Sequence, residues 1–449
     1  MSEKFIAAKF GGTSMAKPPL VRDIVANNPD HKVIVVSAPG KSEGYDVKMT
    51  DMLGSLAIAI VDGKDVDDMQ NAIVERFNNL YQDVATQERL QILELLIIRL
   101  GQIATAPNPV DFAMSLGEEF SARYFAALSG NTFVDAKDWV SFDEDSNLET
   151  VASVNALSQI LQQTDGQIVT PGFYGVNDIG ERNVLPRGGS DISGALAAFA
   201  LLDVAKDGQK VEYYNYTDQN GVHSADPRQV KDTVVLPELT EAEMREGAIG
   251  GNGVLELTVM KVLQGANIPI VIKNTFNPDL PGTRITKNRE TKKDESVVTV
   301  SARRLQTISI HELGMGEQKG YLEKVLSIAS DLDLSIEHMP AGQDDITFTL
   351  HEKTSKKVLE EFDRRLKDEV LGDYADVNIQ LFGIIYCVGE GLRDGLMRAK
   401  AIIRLSQALV DNNIGIETII THPKGASVAV VVAQEDTKKA LELLHRTFI

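Results

Sequence analysis

Short apolar, β-branched runs alternate with stretches whose apolar residues recur at helical spacing through residues 1–290. Phe5–Phe10, Lys32–Ser37, Thr132–Asp135, Gln167–Thr170, Val211–Tyr216 and Ile268–Lys273 read as strands. Pro19–Asn27, Phe112–Ser129 and the alanine-rich Ser193–Leu202 read as helices between them. Residues 51–106 lack strand runs and carry apolar positions at helical spacing, as in Leu93, Leu96, Ile97 and Leu100, which predicts a helical excursion. Such alternation predicts a mainly parallel sheet covered by helices on both faces. Ligands of such sheets bind beyond the carboxyl ends of the strands, where Lys9, Ser37, Pro171 and Thr217 stand.

After a charged linker, Lys287–Glu295, the pattern changes and then repeats. Thr307–Leu313, Tyr321–Leu332, Ser335–Met339 and Ile346–Leu350 read β-α-β-β, with a helix over Glu352–Asp368. Ile379–Val388, Ala399–Asn412, Gly415–Ile420 and Ser427–Val432 read the same, with a helix over Glu435–Arg446. The shared order predicts an internal repeat of ferredoxin-like βαββαβ type.

Composition narrows the class. The 449 residues are 43% hydrophobic and 24% charged, a globular balance. The net charge of −20 argues against non-specific binding to nucleic acid or an anionic membrane, so any anion site must be locally basic. The one cysteine, Cys387, lies in an apolar run and reads as core; a reducing, cytoplasmic setting is expected. No signal peptide and no apolar run of membrane-spanning length is seen.

Four strings carry candidate chemistry. Lys9-Phe10-Gly11-Gly12-Thr13-Ser14 ends the first strand: its glycines let amides crowd an anion, its hydroxyls donate, and its lysine adds charge. It also suits a plain tight turn. Pro186-Arg187-Gly188-Gly189-Ser190-Asp191 leads into the alanine-rich helix and offers amides, a guanidinium fork and a carboxylate, or simply a capped helix entry. Thr217-Asp218-Gln219-Asn220-Gly221 and Asp226-Pro227-Arg228 suit turns after a strand. Ser115-Leu116-Gly117-Glu118-Glu119 places two acids near a helix start.

In this order, with Ser37-Ala38-Pro39-Gly40, these strings resemble the aspartate kinases of the amino-acid kinase family, and the terminal repeats resemble their ACT domains. The resemblance covers essentially the whole chain, and Ser335–Asp345 is similar to a stretch of one bacterial branch. It implies an amino-acid kinase domain over 1–290, a first ACT domain over 304–376, and a second built from 296–303 plus 377–449. The implied reaction converts ATP and L-aspartate to ADP and 4-phospho-L-aspartate, the first step towards lysine, threonine and methionine.

The resemblance also distributes roles. Lys9 contacts the transferring phosphoryl group and Asp191 orients it. Gly11, Gly12, Ser14, Ser37, Ser190, Thr217, Asp218 and Arg228 face the nucleotide. Thr50, Glu118 and Arg187 hold the amino acid, Glu118 by its amino group and Arg187 by its α-carboxylate. The side-chain carboxylate of aspartate is ionised at neutral pH, so no general base is needed. Mg²⁺ would arrive with ATP, and no dedicated metal-ligand cluster is expected. Met315, Gln318, Tyr321, Ser335 and Glu337 fall where a lysine or threonine effector would bind, and self-association through the ACT domains is implied.

The chain departs from the family pattern at Asn252–Glu256, where Gly253 and Glu256 replace a usual lysine and histidine, and Lys261 lies further along. Asn220 and Thr421–Gly425 also differ. A different acidic substrate, or a sensor protein that has lost turnover, are the competing readings.

Overall fold

The computed structural model describes residues 4–186, 188–253, 255–291, 296–371 and 376–449. It divides into two compact units. The first comprises residues 1–222, 235–241 and 254–289; the second comprises 223–234, 242–253 and 290–449.

The first unit is built on an eight-stranded sheet. Its strands are β1 (Lys4–Phe10), β2 (His31–Val36), β3 (Thr132–Phe133), β5 (Ile168–Pro171), β8 (Lys210–Thr217), β9 (Glu238–Thr240), β10 (Ile270–Asn274) and β11 (Thr283–Thr286). They lie in the order β3-β5-β2-β1-β8-β10-β11-β9, parallel except where β10 meets β11. β4 (Ser141–Phe142), β6 (Tyr174–Asn177) and β7 (Arg182–Val184) form a small separate sheet. β1 and β2 are buried almost throughout, as expected of central parallel strands covered on both faces.

Residues 49–102 form three helices, Met49–Val61, Asp67–Leu80 and Thr86–Gln102, which pack with helix Pro109–Ser129 over β1 and β2. Phe77, Tyr81, Phe120 and Tyr124 fill that layer, with Tyr81 and Tyr124 stacked at 5.0 Å. The helix expected from Ser193 begins earlier, at Gly189, and runs to Val204. Its entry is Gly188 at φ +80°, so Ser190 and Asp191 lie in its first turn and not in a loop. The hairpin formed by β6 and β7 was not legible from periodicity, because its strands are only 4 and 3 residues long.

The second unit contains one six-stranded antiparallel sheet, β13-β14-β12-β15-β17-β16. Here β12 is Thr299–His311, β13 Ile336–His338, β14 Asp345–His351, β15 Asp376–Val388, β16 Thr418–Thr421 and β17 Ser427–Ala433. β12 and β15 pair along their whole length, from Thr299 opposite Val388 to His311 opposite Asp376. Residues 305–311 of β12 also pair with β14, while residues 382–388 of β15 pair with β17. Each long strand therefore serves both ferredoxin-like repeats. Helices Tyr321–Asp331 and Lys356–Glu369 cover one repeat; Gly395–Asp411 and Thr437–Phe448 cover the other. Cys387 is buried in this second core, where desolvation pushes its thiol up to about 12.

Candidate active site

The carboxyl ends of β1, β2 and β5 open onto a cleft of about 460 Å³. Lys9, Gly12, Ser37, Thr50, Glu118, Ser190 and Asp191 line it, drawn from five separated parts of the sequence. Lys41, Lys48, Met114, Phe173 and Gly188 line it too, and no motif reading singled out the first four.

Close backbone approach makes the floor. The Gly40 amide donates to the Gly12 carbonyl at 2.7 Å, and the Ser37 amide to Phe10 at 3.1 Å. A Cβ on Gly40 would stand 2.7 Å from the Gly12 carbonyl carbon, so this position admits only glycine without displacement. The turn after β1 and the turn after β2 are thus braced on each other. Across the cleft, a Cβ on Gly172 would stand 2.7 Å from Ser190. Beside it Phe173 adopts φ +76°, a left-handed conformation that a bulky residue holds only when its surroundings force it.

Lys9 Nζ and Asp191 Oδ1 are 2.5 Å apart, and both side chains are largely buried. Asn215 Nδ2 donates to the same Asp191 oxygen at 3.0 Å, and Tyr213 donates to the Asp191 carbonyl at 3.2 Å. Asp191 is therefore fixed on two sides and fixes Lys9. Gly11 stands beside the ammonium; a Cβ there would be 3.6 Å from Nζ.

Glu118 is 4% exposed and faces the cleft from helix Pro109–Ser129. The Ala38 amide donates to it, but Oε2 has no hydrogen-bond partner. Burial pushes its pKa up to about 8, against the pull of that amide and of Lys9. A buried carboxylate oxygen left without a donor is costly. Thr50 packs close by, since a Cβ on Gly117 would meet its methyl at 3.6 Å.

The remaining sequence candidates lie elsewhere. Ser14 turns inward, its hydroxyl 2.6 Å from Thr275 Oγ1, and joins the ends of β1 and β10. Thr217 ends β8 and Asp218 follows it, both outside the cleft lining; Thr217 Oγ1 accepts from the Gln219 amide at 3.0 Å. Arg228 belongs to the second unit, where it pairs with Asp226 at 2.8 Å. Arg187 lies outside the described residues. Glu256 packs against Gly188, whereas Gly253 is exposed and belongs to the second unit.

In the second unit, Met315 is core, while Tyr321 and Gln318 both donate to Glu312, at 2.8 and 3.3 Å. Glu312 was not singled out in the sequence, although its acid two residues before Gly314 was visible. Glu337 lies apart from that cluster, in a two-pronged ion pair with Arg303, and Ser335 is exposed.

A mainly parallel sheet with a glycine-rich turn after its first strand, and a cleft at the strand ends, defines an α/β protein of the class that binds small ligands at that edge. The sequence model of the amino acid kinase family matches residues 4–274, and the chain belongs to that family. Within it, the chain is 29% identical to aspartokinase 3 of Bacillus subtilis, an alignment covering 98% of each chain. It is 27% identical to the lysine-sensitive aspartokinase 3 of Escherichia coli over 78% of this chain and 79% of that one. The crystal structure of Clostridium acetobutylicum aspartate kinase superposes with a TM-score of 0.88 at 26% identity, covering 99% of this chain and 100% of that one. Among the described residues no helix is long and apolar enough to cross a membrane.

Proposed function

We propose that the chain is an aspartate kinase, which transfers the γ-phosphoryl group of ATP to the side-chain carboxylate of L-aspartate. The products are 4-phospho-L-aspartate and ADP, and the step leads towards lysine, threonine and methionine. The observation that carries this reading is Glu118: a buried carboxyl group with one oxygen unpartnered, facing the cleft that holds the Lys9–Asp191 pair. An α-amino group satisfies Glu118, and Arg187 and Thr50 are assigned to the rest of the amino acid. A side-chain carboxylate oxygen then attacks the γ-phosphorus as the bond to the bridging oxygen of ADP breaks. Lys9, held by Asp191, offsets the charge on the transferring group. Gly11, Gly12, Ser37 and Ser190 are assigned to the phosphates. Ser14 is assigned to bracing the turn from within, and Thr217, Asp218 and Arg228 remain assigned to the nucleotide side. Mg²⁺ enters with ATP as part of the substrate and neutralises phosphate charge. Among the described residues no cluster of three or more His, Cys, Asp or Glu side chains offers it a site of its own.

The catalytic domain is assigned to 1–290 and the ACT domains to 304–376 and to 296–303 plus 377–449; strand sharing between β12 and β15 supports the interleaved assignment. The lysine sensitivity in the name of the E. coli relative supports a lysine effector, with threonine the other candidate. The Glu312–Gln318–Tyr321 cluster would meet its polar groups. Helix Gly395–Asp411 exposes Leu396, Ile403 and Val410 at seven-residue intervals, which supports pairing of the C-terminal unit with a second copy.

The test is a hydroxamate assay with ATP, Mg²⁺ and a panel of acidic amino acids, with and without lysine and threonine. Aspartate is expected to be the preferred acceptor; phosphorylation of none of the panel would overturn the enzyme reading. Lys9→Ala is expected to lower kcat by about 10²–10³-fold, in the range for loss of one preorganised charge-stabilising group, with the fold retained by circular dichroism.

A further inference from the structure

Loop 40–48 carries two cations that neither the motifs nor the function above has used. Lys41 and Lys48 line the cleft and are exposed. Neither forms an ion pair with another described residue. The third lysine of the cleft, Lys9, is already paired with Asp191. A nucleotide triphosphate is a polyanion, and its binding requires positive charge that is not already neutralised. Among the described lining residues, Lys41 and Lys48 are the cations that fit.

What holds them is a buried arginine. Arg76, on helix Asp67–Leu80, is 1% exposed and has no carboxylate partner among the described residues. Its Nη2 donates to the Gly40 carbonyl at 2.5 Å and its Nη1 to the Val47 carbonyl at 2.7 Å. Its guanidinium lies over the Tyr45 ring at 4.7 Å. Those two carbonyls belong to the residues immediately before Lys41 and Lys48. The loop closes on itself through the Ser42 and Tyr45 backbones and is anchored by the Gly40–Gly12 and Met49–Pro39 hydrogen bonds. Burying an unpaired guanidinium is expensive; two carbonyls, the Met52 thioether at 3.3 Å and one aromatic face offset part of that cost, while Nε has no hydrogen-bond partner among the described residues.

Lys48 also breaks a local rule. It occupies the N-cap of helix Met49–Val61, makes no capping bond, and adds positive charge to the positive end of the helix. A bound anion removes that conflict. Glu118 Oε2, buried and without a hydrogen-bond partner, lines the same cleft.

We propose that Lys41 and Lys48 bind the phosphate chain of the nucleotide, and that Arg76 is a positioning residue acting through them. The proposal rests on the kinase reading above for the identity of the nucleotide.

Two measurements test it. Calorimetry with inorganic tripolyphosphate and with ADP needs no turnover. The double variant Lys41→Ala/Lys48→Ala is expected to bind both at least about tenfold more weakly, because two charge-assisted contacts are lost. In the hydroxamate assay its KM for ATP is expected to rise by a similar factor, with KM for aspartate within about twofold. Lys48→Arg is expected to recover most of the loss in a Lys48→Ala variant. Arg76→Lys keeps the charge but cannot span both carbonyls; it is expected to raise KM for ATP several-fold alone and to add nothing in the Lys41→Ala/Lys48→Ala background. Unchanged tripolyphosphate and ADP affinity in the double variant overturns the proposal, as does a loss confined to aspartate. Full additivity of Arg76→Lys overturns the positioning role. Should the protein phosphorylate no acidic amino acid yet bind tripolyphosphate through these lysines, the kinase reading fails and the phosphate site stands.

Discussion

Glu118 and Glu119 are neighbours on one helix with opposite electrostatic fates. Burial opposes ionisation of Glu119, yet Arg182 and Arg123 hold its pKa below the ordinary carboxylate value. Glu118 has no such partner, and burial lifts it from 4.5 to about 8. At neutral pH Glu118 is therefore expected to be mostly protonated, and to ionise when it pairs with the proposed ammonium group. Aspartate binding is expected to release a proton at pH 7, read as a buffer-dependent enthalpy, and KM for aspartate is expected to fall as pH rises from 6 to 8. The same shift bears on stability. Between 4.5 and about 8 the folded state holds a proton that the unfolded state has lost, so this group's contribution weakens as pH rises through that window. Glu118→Gln keeps the shape and removes the buried charge. It is expected to abolish aspartate binding and to melt above the native protein at pH 8, with the gap closing near pH 5. Equal melting at both values would mean that Glu118 is not desolvated.

At the scale of elements, the cleft depends on how closely two turns approach. Strand β1 is followed by Gly11-Gly12 and β2 by Ser37–Gly40, and the two turns touch through Gly12 and Gly40. Gly40→Ala places a methyl group within 2.7 Å of backbone that cannot move aside alone. It is expected to destabilise by about 1–3 kcal/mol, as overpacking does, and to cost activity beyond that by separating the two walls of the cleft. Urea titration with the hydroxamate assay distinguishes the two effects; a variant of native stability and activity would remove the bracing role. This explains what the sequence made legible. Lys9, Ser37 and Gly12 were readable because each sits at the end of a strong apolar run. Lys41 and Lys48 were not, because nothing in a loop of mixed charge says which side chains face a ligand. Ser14 lay in the most telling string of all, yet it points into the core towards Thr275.

At the scale of the whole molecule, the chain does not divide in a single cut. Segments 223–234 and 242–253 pack with the C-terminal unit, where Ala225 and Val230 join the core of the second repeat and Ser224 bonds His445 Nε2 at 2.8 Å. A chain ending at residue 289 loses the groups that bury these segments. It is expected to be cleaved by trypsin at Arg228 and Lys231 at least about tenfold faster than the full chain, as locally unfolded backbone is. Equal rates would show that the segments fold without that core. The seven-residue apolar stripe of Leu396, Ile403 and Val410 belongs to this scale too. Light scattering is expected to find at least two chains per particle, reduced by Ile403→Glu; a monomeric native protein would contradict the pairing.

Taken alone, the order of apolar runs determined the class of sheet, the repeat at the C-terminus and the strand end on which Lys9 stands, because period and burial are local properties of a chain. The tertiary structure alone decided that Glu118 Oε2 lacks a partner, that Gly12 meets Gly40, and that Arg76 reaches across 36 residues to hold the loop of two lysines. Desolvation, backbone approach and the pairing of charges are properties of what lies nearby in space, and sequence spacing does not encode them.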